Sequence, residues 1–341
     1  MTTIERDVAK PGTVGDPQGP GFHQCWYVVA LASELDEGSL LSKEFLGGRI
    51  VVYRTADGSP TVLSAYCAHV GADLGVGTLE GEEVVCAFHH FRYGPDGKCT
   101  AVPGGHEVPE KARVFSYPAR EEWGAIWAFN GPEPLYDVPA WRDYGADQLV
   151  TRVHKTDSFP VEPWIMVTNS WDFLHLRELH GLKFDEDPKD IRAPNPYVHE
   201  YDTDFEMPNI GHMNQRIRQS GTNTVALCAT VNDEDSMAMF SATPLRDRLT
   251  ESYSFAATLD TRDGSPEQDE AIEMRLSIQD AFSDQLLADD TPVLSTIRFR
   301  EGALLPGDRM LARYLRYVRQ YPRMDAGGFV AEPTEAGGPD R

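Results

Sequence analysis

Between residues 24 and 130 the apolar positions come in short runs cut by Gly, Asp and Pro: WYVVAL, RIVVYRT, PTVLSAY, EVVCAF, ARVFSYP and GAIWAFN. Runs this short, rich in β-branched and aromatic residues and bounded by turn formers, predict an antiparallel β domain. Past residue 140 the pattern changes. The β-type runs PNPYVHEYDTDFEM, TNTVALCATV, SMAMFSATP and ESYSFAATLD are mixed with helical stretches near 162–180, 267–290 and 307–320, which predicts an α+β domain. The stretch from Pro132 to Trp141, PEPLYDVPAW, has three prolines in ten residues and reads as the connection. The expected organisation is a disordered tail at 1–20, a first domain at 21–138, a second at 139–324 and a second disordered tail at 325–341. Both tails are rich in Gly, Pro and acids and lack periodicity.

Composition narrows the partners. With 31 basic against 54 acidic side chains the net charge is −23, which repels nucleic-acid backbones and anionic lipids. No run of eighteen apolar residues exists, and the first twenty residues lack the apolar core of a secretory signal, so a cytoplasmic protein without a membrane span is expected. Locally, residues 84–120 carry Arg92, Lys98, Lys111, Arg113 and Arg120 against Asp96, Glu107 and Glu110, five against three. An acidic electron-donor protein fits such a patch; ordinary solvated charge explains it equally well.

Two residue groups carry chemistry. Cys67-Ala-His69 and Cys86-Ala-Phe-His89 are separated by sixteen residues and sit at the ends of β-type runs, hence on loop tips. Two thiolates and two imidazoles are what a [2Fe–2S] centre needs when two histidines replace two cysteines on one iron. A tetrahedral zinc site uses the same ligand types, usually with two to four residues inside each pair, whereas Ala68 alone separates the first pair here. The other cysteines, Cys25, Cys99 and Cys228, read as small buried hydrophobes, and five cysteines in 341 residues do not make a disulfide framework.

The second group is Asp172, His175 and His180. Asp172 and His175 share a helix face, but His180 lies five residues further, roughly 140° round a straight helix. Pointing both histidines at one ion requires a bulge or helix end between them, for which Gly181 is a suitable stop. His23, His90, His106, His154, His199 and His212 read as packing or surface residues, with His90 in the shell of the first group.

The segment CAHVGADLGVGTLEGEEVVCAFHHFRYGPDGKC resembles the cluster-binding region of the Rieske family, and NSWDFLHLRELHG resembles the iron-binding helix of Rieske non-heme iron oxygenases, the ring-hydroxylating dioxygenase superfamily; together they touch both halves of the chain. The resemblance implies an all-β Rieske [2Fe–2S] domain followed by a catalytic domain of antiparallel sheet plus helices, of helix-grip, START-like form. It implies a cluster held by Cys67, His69, Cys86 and His89, and a mononuclear Fe(II) held by His175, His180 and a distant carboxylate. Asp290, before Thr-Pro-Val-Leu, is the expected third ligand, with Asp289 and Asp284 as alternatives. It further implies that Asp172 is an electron bridge to a cluster histidine of a neighbouring subunit, hence a homotrimer, and that Asn169 lies near the iron. O2 is the implied cosubstrate, with electrons from NAD(P)H arriving through a ferredoxin or flavin reductase.

The expected activity is the oxygenase component of a monooxygenase that hydroxylates or demethylates a hydrophobic cyclic or aromatic molecule. An aromatic-ring cis-dihydroxylating α subunit shares the same metal apparatus. A pure electron carrier is opposed by about 200 residues beyond the first domain and by Ala72 and Phe88, where Rieske proteins of cytochrome complexes carry a disulfide between their loops. Leu176, Phe184 and Met207 stand near the iron helix, as pocket or as core.

Overall fold

The computed structural model describes residues 21–184, 187–207, 211–231, 234–300 and 302–325. The expected tails at 1–20 and 325–341 fall outside these residues, Asp325 excepted.

Three small antiparallel sheets build the first half. One orders Ser116–Tyr117, Pro60–Ser64, Gly48–Arg54 and Leu41–Phe45; a second orders Ala119–Glu122, Ala125–Phe129 and Trp26–Leu31. The third, Thr78–Glu80, Glu83–Val85, Arg92–Tyr93 and Cys99–Ala101, carries the second Cys–His pair. The run WYVVAL forms its strand as expected, and both of its faces are covered. Trp26 and Val28 join Trp127, Phe129 and the second-half residues Met239 and Phe255 in one core, while Tyr27 and Val29 face Phe45, Ile50 and Ile126 in another. Burial on both faces explains why this strand is continuously apolar rather than alternating. Of ARVFSYP only Ser116–Tyr117 is strand, because Ala112 and Val114 are used in loop hydrogen bonds to Cys99 and Gly97.

The second half is one twisted antiparallel sheet in the order Leu149–Phe159, Leu249–Leu259, Glu234–Arg246, Thr224–Val231, Gly211–Ser220, Val198–Met207 and Lys183–Phe184, with Ile191–Asn195 also pairing Val198–Met207. Four helices accompany it: α1 (Pro163–Thr168), α2 (Phe173–Glu178), α3 (Pro266–Leu294) and α4 (Arg309–Gln320). Helix α3 is capped by Ser265, whose hydroxyl accepts from Gln268 N, has proline in its first turn and carries Glu267 and Asp269 at its positive end. It lies along the sheet, with Arg152 paired to Glu273 and Asp280, and His154 bonded to Asp284. The fold is the expected β domain followed by sheet plus helices. The helical reading at 162–180 resolves into two short helices with a break at Asn169–Asp172.

The two halves share packing. Gly221, at φ +62°, sits where a Cβ would meet Tyr136 Oη at 2.2 Å and Cys25 Sγ at 2.8 Å, so a side chain there would force the halves apart. Tyr317 of helix α4 and Tyr321, directly after its end, pack on the first-half core, and Arg323–Met324 pairs with Phe22–His23. Among the described residues no helix is long and apolar enough to cross a membrane.

Candidate metal centres

The two Cys–His pairs sit on turns of the same backbone design. In the first, Cys67 N donates to Ala72 O (2.9 Å) and Gly71 N to Cys67 O (2.8 Å); in the second, Cys86 N donates to Phe91 O (2.9 Å) and His90 N to Cys86 O (2.9 Å). Each turn needs a left-handed residue four after the cysteine, supplied by Gly71 at φ +80° and by His90 at φ +58°. The turns bury the thiols, with Cys67 3 % and Cys86 1 % exposed, and push the imidazoles outward. His69 is exposed and His89 half-buried, and their Nδ1 atoms meet at 3.1 Å. Phe91 stacks on the His69 ring at 4.7 Å. Tyr93 Oη lies 3.1 Å from Cys67 Sγ and accepts from Ala68 N at 2.9 Å, a partner that no spacing in the sequence announces. All five cysteines are free, so nothing competes for the two sulfurs, and burial raises the Cys67 thiol pKa. Two buried thiols beneath two converging imidazoles are the donor set of a histidine-ligated [2Fe–2S] cluster.

The second group assembles around the helix break. Asp172 is the N-cap of α2 rather than a residue inside it, its carboxylate accepting from His175 N at 2.9 Å. The break is pinned by Trp171, fully buried and stacked on Tyr314 at 5.6 Å, and by the hydroxyl of Tyr201, which donates to Ser170 O. Helix α2 ends at Glu178, and Leu182 N returns to Leu176 O across Gly181, at φ +67°. That early stop removes the 140° conflict and brings the two histidine rings to 4.9 Å between centroids.

Asp290 reaches the same point from α3. Its Oδ1 lies 3.1 Å from His180 Nε2 and 3.3 Å from His175 Nε2, while its Oδ2 accepts from Asn169 Nδ2 at 2.8 Å. One donor atom from each of His175, His180 and Asp290 lies within 4.8 Å of the others. Asp289 stands behind, its Oδ2 4.0 Å from His180 Nδ1, and Asp284 is elsewhere, 3.0 Å from His154. His175 Nε2 is buried without a hydrogen-bond partner, and burial lowers the His175 pKa, with His180 adding to the shift and Asp290 opposing it. A half-buried imidazole with an orphaned nitrogen beside a carboxylate suits a divalent metal. Two histidines and one carboxylate form the facial set that leaves positions open for other ligands.

The three residues look into a cavity of about 490 Å³ between the sheet and α3. Leu176, Phe184 and Met207 line it, together with Phe173, Phe205 and Leu287. The sequence did not announce the polar residues further along the same wall, Ser236, Gln279 and Ser283, because isolated polar side chains in strands and helices ordinarily mean surface.

Comparison with known proteins bears on the first half of the chain most directly. Residues 25–118 match the family described as Rieske [2Fe-2S] domain. The chain is 36 % identical over 132 residues to the oxygenase component of 3-ketosteroid-9-alpha-monooxygenase from Rhodococcus rhodochrous, covering 37 % of this chain and 35 % of that one. It is 32 % identical over 196 residues to cholesterol 7-desaturase nvd from Bombyx mori, covering 55 % and 41 %. It thus spans about two fifths or less of the length of these curated relatives. In structure it is similar to NdmA of Pseudomonas putida CBB5 with caffeine, at TM-score 0.67 and 21 % identity over 87 % of this chain and 90 % of that one. Residues 25–118 are therefore a Rieske [2Fe–2S] domain, in a chain similar in sequence over part of its length to the oxygenase component of 3-ketosteroid-9-alpha-monooxygenase and similar in fold to NdmA.

Proposed function

We propose that this protein is the oxygenase component of a multicomponent Rieske non-heme iron monooxygenase that hydroxylates or demethylates a hydrophobic organic substrate. The observation that carries the reading is the His175–His180–Asp290 set opening into a largely apolar cavity, which a pure electron carrier has no use for. In this reading residues 21–138 and 139–324 are the two domains. Cys67, His69, Cys86 and His89 hold the cluster, and His175, His180 and Asp290 hold Fe(II). When bound, the cluster supplies electrons singly and the ferrous ion activates O2.

The chain's own residues do the rest. Asn169 fixes the second oxygen of Asp290, which leaves Oδ1 directed at the histidines. Phe173, Phe184, Phe205 and Leu287 exclude water and hold an apolar skeleton beside the triad. The exposed edge of His69 is where an acidic ferredoxin or flavin reductase, fed by NAD(P)H, would deliver electrons. Asp172, half-exposed at the α2 N-terminus, serves as the electron bridge to a cluster histidine of a neighbouring subunit in a homotrimer. The protein is cytoplasmic in this reading.

Iron and acid-labile sulfide per chain, with an electron paramagnetic resonance spectrum after dithionite reduction, test it. About three irons and two sulfides with a low-average-g signal are expected. Zinc without sulfide, in protein purified so that a cluster would survive, overturns the reading. For the bridge, Asp172→Asn should keep both metal sites filled and lose turnover; normal turnover would remove that role.

A further inference from the structure

The cavity continues well past the triad along α3. Its helical wall includes Arg275, Gln279, Ser283, Leu286 and Asp290, spaced three or four apart and so on one face. Gln279 lies eleven residues before Asp290, which at the α-helical rise places it about 16 Å along the axis. The wall is apolar near the middle and polar again at the far end. There Gln279 is 6 % and Ser283 1 % exposed. Gln279 Oε1 accepts from the Ser236 hydroxyl, and Gln279 Nε2 donates to Ser283 Oγ at 3.1 Å.

This leaves donors in excess. A primary amide has a second N–H, and Ser283, used as an acceptor, has its own hydroxyl proton to give. Arg275 adds a guanidinium whose hydrogen bonds among the described residues go to Thr258 Oγ1 and Thr261 Oγ1, both at 3.0 Å, and to no carboxylate. The other acid lining the cavity, Asp235 on the strand Glu234–Arg246, is already taken by Arg216 and by Thr230, each at 2.5 Å. Buried donors lacking full partners cost stability unless a ligand or water satisfies them.

We infer that Gln279, with Ser236, Ser283 and Arg275, forms a distal recognition pole for an acceptor oxygen, a carbonyl or carboxylate, at the far end of an elongated apolar substrate. This rests on the triad being the reaction centre and sets the length the substrate must have. A molecule that reaches both ends is longer than one substituted aromatic ring and is of the order of a fused three- or four-ring skeleton. The pole fixes register: holding one end at Gln279 determines which carbon stands at the triad.

The test is calorimetric binding to the whole protein of three probes: a rigid fused-ring ketone of three or four rings, its parent hydrocarbon, and a single-ring ketone. The fused ketone should bind about tenfold tighter than its parent, and Gln279→Leu should erase that difference while leaving the parent's affinity within about twofold. Ser283→Ala, which removes one hydroxyl, should narrow the difference and serves if Gln279→Leu fails to fold. A ketone preference that survives both substitutions, no preference in the unaltered protein, or equally tight binding of the single-ring ketone overturns the inference. Swapping the ketone for the matching carboxylate reports on Arg275, since Arg275→Gln should weaken the carboxylate more than the ketone. Binding is read without turnover, so loss of iron or sulfide would sink the oxygenase reading while these affinities still judge the pole.

Discussion

The two candidate metal centres are built in opposite ways. The Cys–His pairs sit on hairpin-like tips within 23 residues of one another, with thiols inward and imidazoles toward solvent. The His175–His180–Asp290 set joins elements 110 residues apart and is enclosed, with side chains 15 %, 5 % and 12 % exposed. The difference suits the roles proposed for each. A centre that receives electrons from another protein needs an accessible edge, whereas one that handles O2 beside an apolar substrate needs bulk water kept away.

Removing ligands should break the comparison most severely. Cys86→Ser should abolish sulfide and the cluster signal and loosen the small sheet, because a serine hydroxyl at a position 1 % exposed is cut off from water. His175→Ala should instead lose one iron per chain with sulfide and cluster signal intact. Should either variant empty both centres, the centres are not separable as described.

Next in size, Asn169→Leu removes the N–H that holds Asp290 Oδ2. Free to rotate, the carboxylate should bind the mononuclear metal about 10- to 100-fold more weakly, read by competition with a chelator, while the cluster signal stays unchanged. An unaltered metal affinity would make Asn169 a bystander.

Acid should weaken the second half through one half-buried ring. His199 is half-buried between Trp171 and Tyr317, and burial, with Arg313 adding to it against a Gln219 hydrogen bond, lowers its pKa to about 4. As pH falls, the unfolded chain protonates this ring near 6.5 while the folded chain resists until about 4. Stability from the neutral ring is therefore complete above pH 6.5 and is lost on going down to 4, by about 1–2 kcal/mol once solvent screening is allowed for. His199→Gln should flatten denaturant midpoints over that interval; an unchanged slope would assign acid sensitivity elsewhere.

The same contrast decides what the sequence made legible. Local chemistry was readable: both Cys–His pairs, the need for a helix end before His180, and the apolar strand at Trp26–Leu31. Asp290 could be named only through the resemblance, since nothing local distinguishes it from Asp289 or Asp284 until α3 is laid on the sheet. The strands Leu149–Phe159 and Gly211–Ser220 were missed because they are polar where apolar residues were sought. Arg152 and His154 face carboxylates of α3, and Gln215 lines the cavity, so the polar positions are used by neighbours that sequence order does not reveal.

The smallest effect probes the likeness of the two cluster turns. Both place a left-handed residue four after the cysteine, but only the first uses glycine, and His90 adopts φ +58° with a full side chain. A left-handed conformation costs an ordinary residue roughly 1–2 kcal/mol, part of which a glycine returns to the unfolded chain as entropy. His90→Gly should therefore raise stability by about 0.5–1 kcal/mol and leave the cluster signal unmoved, because His90 is exposed and its backbone, not its ring, closes the turn. If the substitution instead shifts the cluster's potential or its spectrum, the His90 ring reaches the centre. The second turn would then be more than a copy of the first.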